Sequence, residues 1–211
     1  MPETSGGDDA GDRPAGFAET RREVIAKAYR PLVMHEGVLT TPGGPMTMRR
    51  ELFEIGQVCA LVPYDPVREL LVLQRQFRMG AHVQGENALM VEIAAGIMED
   101  GEDPETCAIR ETEEELGIAP TDLIRGPTFL PSTGWLGETA HLFVGRVDAS
   151  RLPAHAGAAG ETEYTEPFAV TPDIALKALD EGRIRNGFTV LGLLWFARER
   201  TNIRTRWGFT E

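Results

Sequence analysis

The sequence is short of several things. Only two of its 211 residues are cysteine, Cys59 and Cys107. Both fall in apolar or helical patterns, which predicts buried thiols in a reducing compartment and excludes a disulfide framework. No stretch approaches the roughly 20 apolar residues that a bilayer-spanning helix needs. Residues 1–16 lack the apolar segment of a secretory signal. Basic residues are scarce: 21 Lys plus Arg stand against 33 Asp plus Glu, a formal charge of −12. So acidic a chain has no broad basic face to displace counterions from nucleic acid, and no basic helix for a membrane surface. The four histidines, His35, His82, His141 and His155, are scattered without HExxH spacing. CxxC, a phosphate-binding P-loop and GxGxxG are also missing, which removes the chemistries they carry. What is left is an acidic cytoplasmic protein with neither nucleic acid nor membrane as partner.

What is present is a folded chain: 42% hydrophobic and 26% charged is a globular composition. Residues 1–18 are rich in Gly, Asp, Pro and Thr and read as a disordered acidic tail. Residues 19–56 alternate apolar and polar around the turn Thr40-Thr41-Pro42-Gly43-Gly44-Pro45, which predicts a small antiparallel sheet of about three strands. Such a sheet must bury a face against something else. Residues 57–211 form the main domain. Gln57–Pro63 and Glu69–Gln76 flank the Asp65-Pro66 turn as a hairpin, and Leu89–Ala94, Thr139–Val147 and Phe168–Val170 supply further strands. Asp103-Pro104 starts a helix that Gly117 ends, Thr171-Pro172 starts a second that Gly182 ends, and Phe188–Arg198 reads as a third. Strands and helices without regular βαβ alternation make the fold class α+β, a mixed sheet covered by helices.

The chemistry lies in the first helix. Glu111, Glu113, Glu114 and Glu115 fall within five positions near its C-terminus. Like charges three or four apart repel, and the helix dipole disfavours anions at that end. A Glu-rich helix can be merely a solvated face, but divalent cations would resolve both conflicts, because Mg²⁺ takes carboxylate oxygens together with water and substrate phosphates.

The wider spacing favours the metal reading. The segment GIMEDGEDPETCAIRETEEELGI places Gly96, Glu102, Arg110-Glu111, Glu114-Glu115 and Gly117-Ile118 in a pattern that resembles the Nudix box. Thr112 stands where the box prefers an aliphatic residue. The resemblance implies an α/β/α sandwich hydrolase, preceded here by the small N-terminal β-sheet, that cleaves nucleoside diphosphates linked to another group. By position it implies Glu111 and Glu115 as metal ligands, Glu114 as a supporting ligand, the Ala95 carbonyl as another, and Arg110 as the residue that orients the glutamates. The ions would be two or three Mg²⁺, with Mn²⁺ as a substitute. Glu102 becomes a structural residue and Glu113 an exposed one.

Beyond the box, Arg49-Arg50-Glu51, Gln76-Phe77-Arg78, Glu92-Ile93-Ala94-Ala95-Gly96 and Gly182-Arg183-Ile184-Arg185-Asn186 resemble the ADP-ribose pyrophosphatase branch. That branch implies a homodimer that exchanges the N-terminal sheet. Arg78 would contact substrate, as would Glu138, and Arg50 and Glu51 would reach it from the partner. The late loop Gly157-Ala158-Ala159-Gly160-Glu161-Thr162-Glu163 would hold the catalytic base, Glu161, and a metal ligand, Glu163; a register slip of two exchanges them. Thr133 stands where the branch carries proline, and Trp135 follows as an aromatic that either stacks on substrate or packs. The implied reaction is hydrolysis of ADP-ribose to AMP and ribose 5-phosphate. A nucleotide sugar such as GDP-mannose or ADP-glucose is the alternative substrate. A non-catalytic nucleotide-sugar sensor is a further alternative, against which stands the full set of box glutamates.

Overall fold

The structure is a computed structural model that describes residues 11–156 and 165–209. The chain divides into two compact units: residues up to Glu54 together with Gly134–Leu136, and the remainder.

The N-terminal unit is an antiparallel sheet. Strand β1 (Phe17–Ala26) pairs with β2 (Leu32–Thr41), which pairs with the first half of β3 (Gly44–Asp65). The turn predicted at Thr40–Pro45 joins β2 to β3, with Thr41 opposite Gly44. Every residue of β1 is exposed, whereas Val33 and Met34 of β2 are buried. The alternation in the sequence predicts two separate strands ending near Phe53 and starting near Gln57; instead β3 runs for 22 residues through both. Gly56 makes this possible, because its φ of +96° is accessible to glycine without strain.

The second unit is built on the rest of β3. It pairs with β6 (Ala94–Ile97), with β8 (Leu136–Arg146) and, through Tyr64 and Asp65, with β4 (Leu70–Phe77). Strand β4 also pairs with β5 (Leu89–Glu92) and β9 (Thr165–Val170), and β7 (Asp122–Phe129) pairs with β8. A short helix α1 (Met79–Val83) follows β4 and has no counterpart in the sequence reading.

Successive residues of a strand face opposite sides, and the buried clusters follow that rule. Leu71 and Leu73 pack with Leu193 and Phe196 on one side, while Val72 between them packs with Leu116. Likewise Ala60 and Val62 join the first cluster, while Cys59 and Leu61 pack with Cys107 and Ala108. Helix α2 (Pro104–Leu116) therefore covers one face of the sheet, and α3 (Pro172–Asp180) and α4 (Gly187–Arg206) cover the other. The result is an α+β fold in the form of an α/β/α sandwich.

Helix α4 extends eight residues past the predicted end at Arg198. Its added turns bury Ile203, and Trp207 behind it, against the core. Arg200 and Arg204 on those turns both pair with Glu69 on the β3–β4 turn. Both cysteines are free and buried.

Candidate active site

Helix α2 begins as its sequence dictates. Asp103 caps it by accepting hydrogen bonds from the backbone N–H of Glu105 and Thr106 at 3.0 and 3.1 Å, and Pro104 opens the first turn. Gly117 ends it in the left-handed conformation at φ 70°. Thr112, at the position where an aliphatic residue was expected, is fully buried, and its hydroxyl donates to the Ala108 carbonyl at 2.6 Å. A hydroxyl satisfied within its own helix can sit in the core without an orphaned donor.

Arg110 is the hub of the charged face. Its guanidinium donates to both Glu102 oxygens at 2.9 and 3.0 Å, to Glu111 Oε1 at 2.8 Å and to Glu114 Oε2 at 3.1 Å. It also reaches the Ile97 carbonyl at 3.2 Å, which ties the helix to β6. Arg110 hydrogen bonding holds the Glu102 carboxyl down at about 2. Glu111, more deeply placed, is raised above its ordinary value by burial despite the same arginine. Glu113 is exposed.

Glu115 faces inward and is only 6% exposed. Its Oε2 accepts from the Ala95 backbone N–H at 3.0 Å and from Gln74 Nε2 at 2.9 Å. Both donors are uncharged. Burial accordingly pushes its pKa up to about 8, although Arg78 is near enough to counteract part of that. At the next level out, the Thr165 hydroxyl donates to the Glu115 carbonyl at 2.9 Å and fixes the last turn of the helix to β9.

The structure thus brings Arg110, Glu111, Glu114, Glu115 and Ala95 together. Arg78 follows β4 nearby, with its guanidinium on the buried Glu92. Glu138 is half-buried on β8, and burial raises its pKa. Three other predicted residues belong to the N-terminal unit. Arg50 donates to the Arg49 carbonyl, Glu51 pairs with Arg49 at 3.4 Å, and Trp135 stands edge-on to Phe53 with ring centroids 5.8 Å apart. Glu161 and Glu163 lie outside the described residues. A cleft of about 960 Å³ opens beside β5 and the α3–α4 turn, between Leu89 and Arg185, and none of the predicted site residues lines it.

Among the described residues, no three His, Cys, Asp or Glu side chains converge into a ready-made ion cage. Arg110 engages two of the carboxylates instead. That arrangement suits Mg²⁺, which uses one or two carboxylates and completes its shell with water and substrate phosphates.

Sequence reasoning gave no site role to Gln74, Glu92, Thr165 or Asn186, although it expected Asn186 to help cap the third helix, which it does. One signal was available: Gln74, Gln76 and Arg78 follow the apolar run Leu70–Leu73 at every second position, which places them on one face. The pairing of Glu92 with Asn186 is a tertiary contact with no local signature.

Comparison with known proteins agrees with this architecture. A family model for the NUDIX domain matches residues 56–184. The chain belongs to the Nudix family. Among its relatives, the ADP-ribose pyrophosphatase of Escherichia coli K12 is 34% identical over 188 residues, which cover 88% of this chain and 90% of that protein. The ADP-ribose pyrophosphatase of Haemophilus influenzae is 35% identical over 75% of this chain and 74% of its own length. The GDP-mannose pyrophosphatase of Pectobacterium atrosepticum is 29% identical over 74% and 83% respectively. The crystal structure of an ADP compounds hydrolase has the same fold, with a TM-score of 0.68 over 90% of this chain and 96% of that one at 18% identity. In this Nudix protein the box is the stretch from Gly96 to Ile118, and β6, α2 and Gly117 carry it.

Proposed function

We propose that this Nudix protein is a divalent-metal-dependent pyrophosphohydrolase that cleaves ADP-ribose to AMP and ribose 5-phosphate. The observation that carries the reading is the setting of Glu115: a buried carboxylate whose two hydrogen-bond donors are neutral, one turn from Glu111 and beside Ala95. Burial makes that carboxylate costly to ionise, and Arg78 offsets only part of the cost. A divalent cation would compensate it, and the donor set is oxygen throughout, as hard cations require.

Glu111 and Glu115 would hold the metal, assisted by Glu114, Glu163 and the Ala95 carbonyl. When bound, such ions neutralise charge on the pyrophosphate and acidify an attacking water. Arg110 keeps Glu111 and Glu114 apart from each other's charge and holds them at the helix surface. Arg78 binds substrate anion or hydroxyl groups through its guanidinium. Glu161 is our candidate to accept the proton of the attacking water, a role worth about 10²–10⁴-fold. In a homodimer, Arg50 and Glu51 of the partner would reach the substrate, and Trp135 and Glu138 would complete its binding. The ADP-ribose pyrophosphatases among the relatives support ADP-ribose over GDP-mannose, because they match at higher identity.

The test is phosphate release, coupled to a phosphatase, from ADP-ribose, ADP-glucose, GDP-mannose, NADH and a dinucleoside polyphosphate. Each is assayed with Mg²⁺, with Mn²⁺ and with EDTA. ADP-ribose should lead by about tenfold or more and EDTA should abolish turnover. A lead by GDP-mannose would transfer the assignment to nucleotide sugars. Turnover that survives EDTA would overturn the metal role.

A further inference from the structure

One built polar assembly lies beside the glutamate helix, centred on Glu92. Glu92 is 3% exposed. Its Oε1 accepts from Arg78 Nε at 2.9 Å, and its Oε2 accepts from Arg78 Nε and Nη2 at 3.1 and 2.6 Å. Oε1 also accepts from Asn186 Nδ2 at 3.1 Å. Asn186 is the N-cap of α4: its Oδ1 accepts from Thr189 N–H and from the Thr189 hydroxyl, at 3.0 and 3.1 Å. The same hydroxyl oxygen accepts from the Ile93 N–H at 3.1 Å, which closes the circuit onto β5. Three rigid elements, β4, β5 and the start of α4, therefore converge on one guanidinium.

We propose that Glu92 and Asn186 are positioning residues that lock Arg78 into a single orientation for substrate. The proposal rests on the reading of Arg78 as a substrate contact. Arg78 is 39% exposed in its side chain while its carboxylate partner is buried, so the anchor is inside and part of the arginine side chain remains open to solvent. A forked, two-acceptor contact fixes the plane of a guanidinium as well as its place. The rotamer freedom of a long side chain is then lost on folding rather than on binding, which lowers the cost of engaging a ligand. Asn186 matters because it holds Oε1 from the other side. A free glutamate would follow the arginine; this one is pinned between Arg78 and a helix cap.

The substitutions separate this role from simple packing. Glu92→Gln preserves volume but replaces one acceptor with an NH₂ that faces the guanidinium donors, so the fork is lost. Asn186→Ser keeps a good N-cap and removes only the donor to Glu92. Arg78→Lys keeps the charge and abolishes the fork.

The experiment has two readouts on the full chain. The first is ADP-ribose affinity measured by calorimetry in EDTA, where nothing turns over, together with KM and kcat in Mg²⁺. Glu92→Gln and Arg78→Lys should each weaken binding and raise KM by about tenfold, with kcat falling less than about threefold; Asn186→Ser should give about threefold. The double variant Glu92→Gln/Arg78→Lys should be no worse than either single one, because both remove the same fork. Losses that multiply to about a hundredfold would overturn the proposal. The second readout is the Arg78 Nε–H resonance, assigned by its disappearance in Arg78→Lys. It should be resolved and slow to exchange in the native chain and merge with the other arginines in Glu92→Gln. If it does not change, the lock does not exist. If it changes but the native chain binds neither ADP-ribose nor the other nucleotides, the functional reading falls and the locked arginine stands.

Discussion

Gly96 lies against the Glu111 carboxylate so closely that a Cβ at residue 96 would fall 1.9 Å from Glu111 Cδ and 2.1 and 2.2 Å from its two oxygens. This glycine is there for what it leaves room for, not for a special backbone angle. Gly96→Ala must push the carboxylate away from β6, and a displacement of about 1 Å at a reacting site can cost 10²-fold. We expect kcat to fall by about that factor. Thermal unfolding should shift far less, since Glu111 can swing outward. Turnover close to native would show that Glu111 has no part in the chemistry.

Glu115 is the residue at which stability and activity should part. Glu115→Gln retains hydrogen-bonding capacity toward Gln74 and removes a carboxyl whose ionisation burial opposes. The metal-free protein should therefore melt at the same temperature as the native one or higher, measured by calorimetry in EDTA. Metal stabilisation of the transition state is worth several kcal/mol, so kcat should drop by at least about 100-fold. Loss of activity accompanied by an equal loss of stability would make Glu115 a structural residue.

The extent to which this site was legible varies by element. Helix α2 was readable from end to end, because Asp103, Pro104 and Gly117 each act through local backbone geometry. The last turns of α4 were not. Thr201-Asn202-Ile203-Arg204 carry one apolar residue, and they are helical because Ile203 and Trp207 find the core and because Glu69, over 130 positions away, pairs with Arg200 and Arg204. The glutamates could be picked out by spacing along one helix. Gln74 and Glu92, which hold Glu115 and Arg78, could not, since strand register decides whom they meet.

The Glu102–Arg110 pair gives stability a specific pH dependence. The Glu102 pKa is depressed from 4.5 to about 2 in the folded chain. Its contribution is therefore complete above about pH 4.5 and lost as pH falls toward 2. With a side chain 9% exposed, the pair is worth on the order of 1–3 kcal/mol. Urea unfolding of the native chain and of Glu102→Gln should differ by that amount at pH 7, by clearly less at pH 3, and converge only as pH falls to about 2. Carboxylates remote from Arg110 titrate alike in both proteins and cancel. A difference independent of pH would mean that the arginine contact adds nothing specific to the ionised form.

Glu69 offers a stability test remote from the glutamate helix. It holds a φ of 55°, uncommon for a residue with a side chain. It accepts from Tyr64 Oη at 2.8 Å and pairs with Arg200 and Arg204. These contacts clamp α4 onto the β3–β4 turn. Glu69→Ala keeps the unfavourable φ and takes one carboxylate partner from each arginine, leaving Arg200 on Asp173 and Arg204 on Tyr64 and the Pro66 carbonyl. We expect about 1–3 kcal/mol of destabilisation in urea with kcat within twofold of native. A larger loss of kcat than of stability would mean that α4 communicates with the site.

Trp135 decides between stacking and packing. It is 55% exposed, yet its carbonyl accepts from the Phe53 N–H at 2.9 Å and its ring meets Phe53 edge-on. The backbone contact keeps the loop in place whatever the side chain. Trp135→Ala therefore isolates the ring. If the ring is a platform for a base or sugar, KM for ADP-ribose should rise by about 3- to 10-fold, the value of one aromatic contact, and thermal stability should barely change. If it only packs on Phe53, the melting temperature should fall and KM should hold. Assaying GDP-mannose alongside adds discrimination, because a ring that reads the base should penalise one nucleotide more than the other, whereas a ring that reads a shared ribose should penalise both alike.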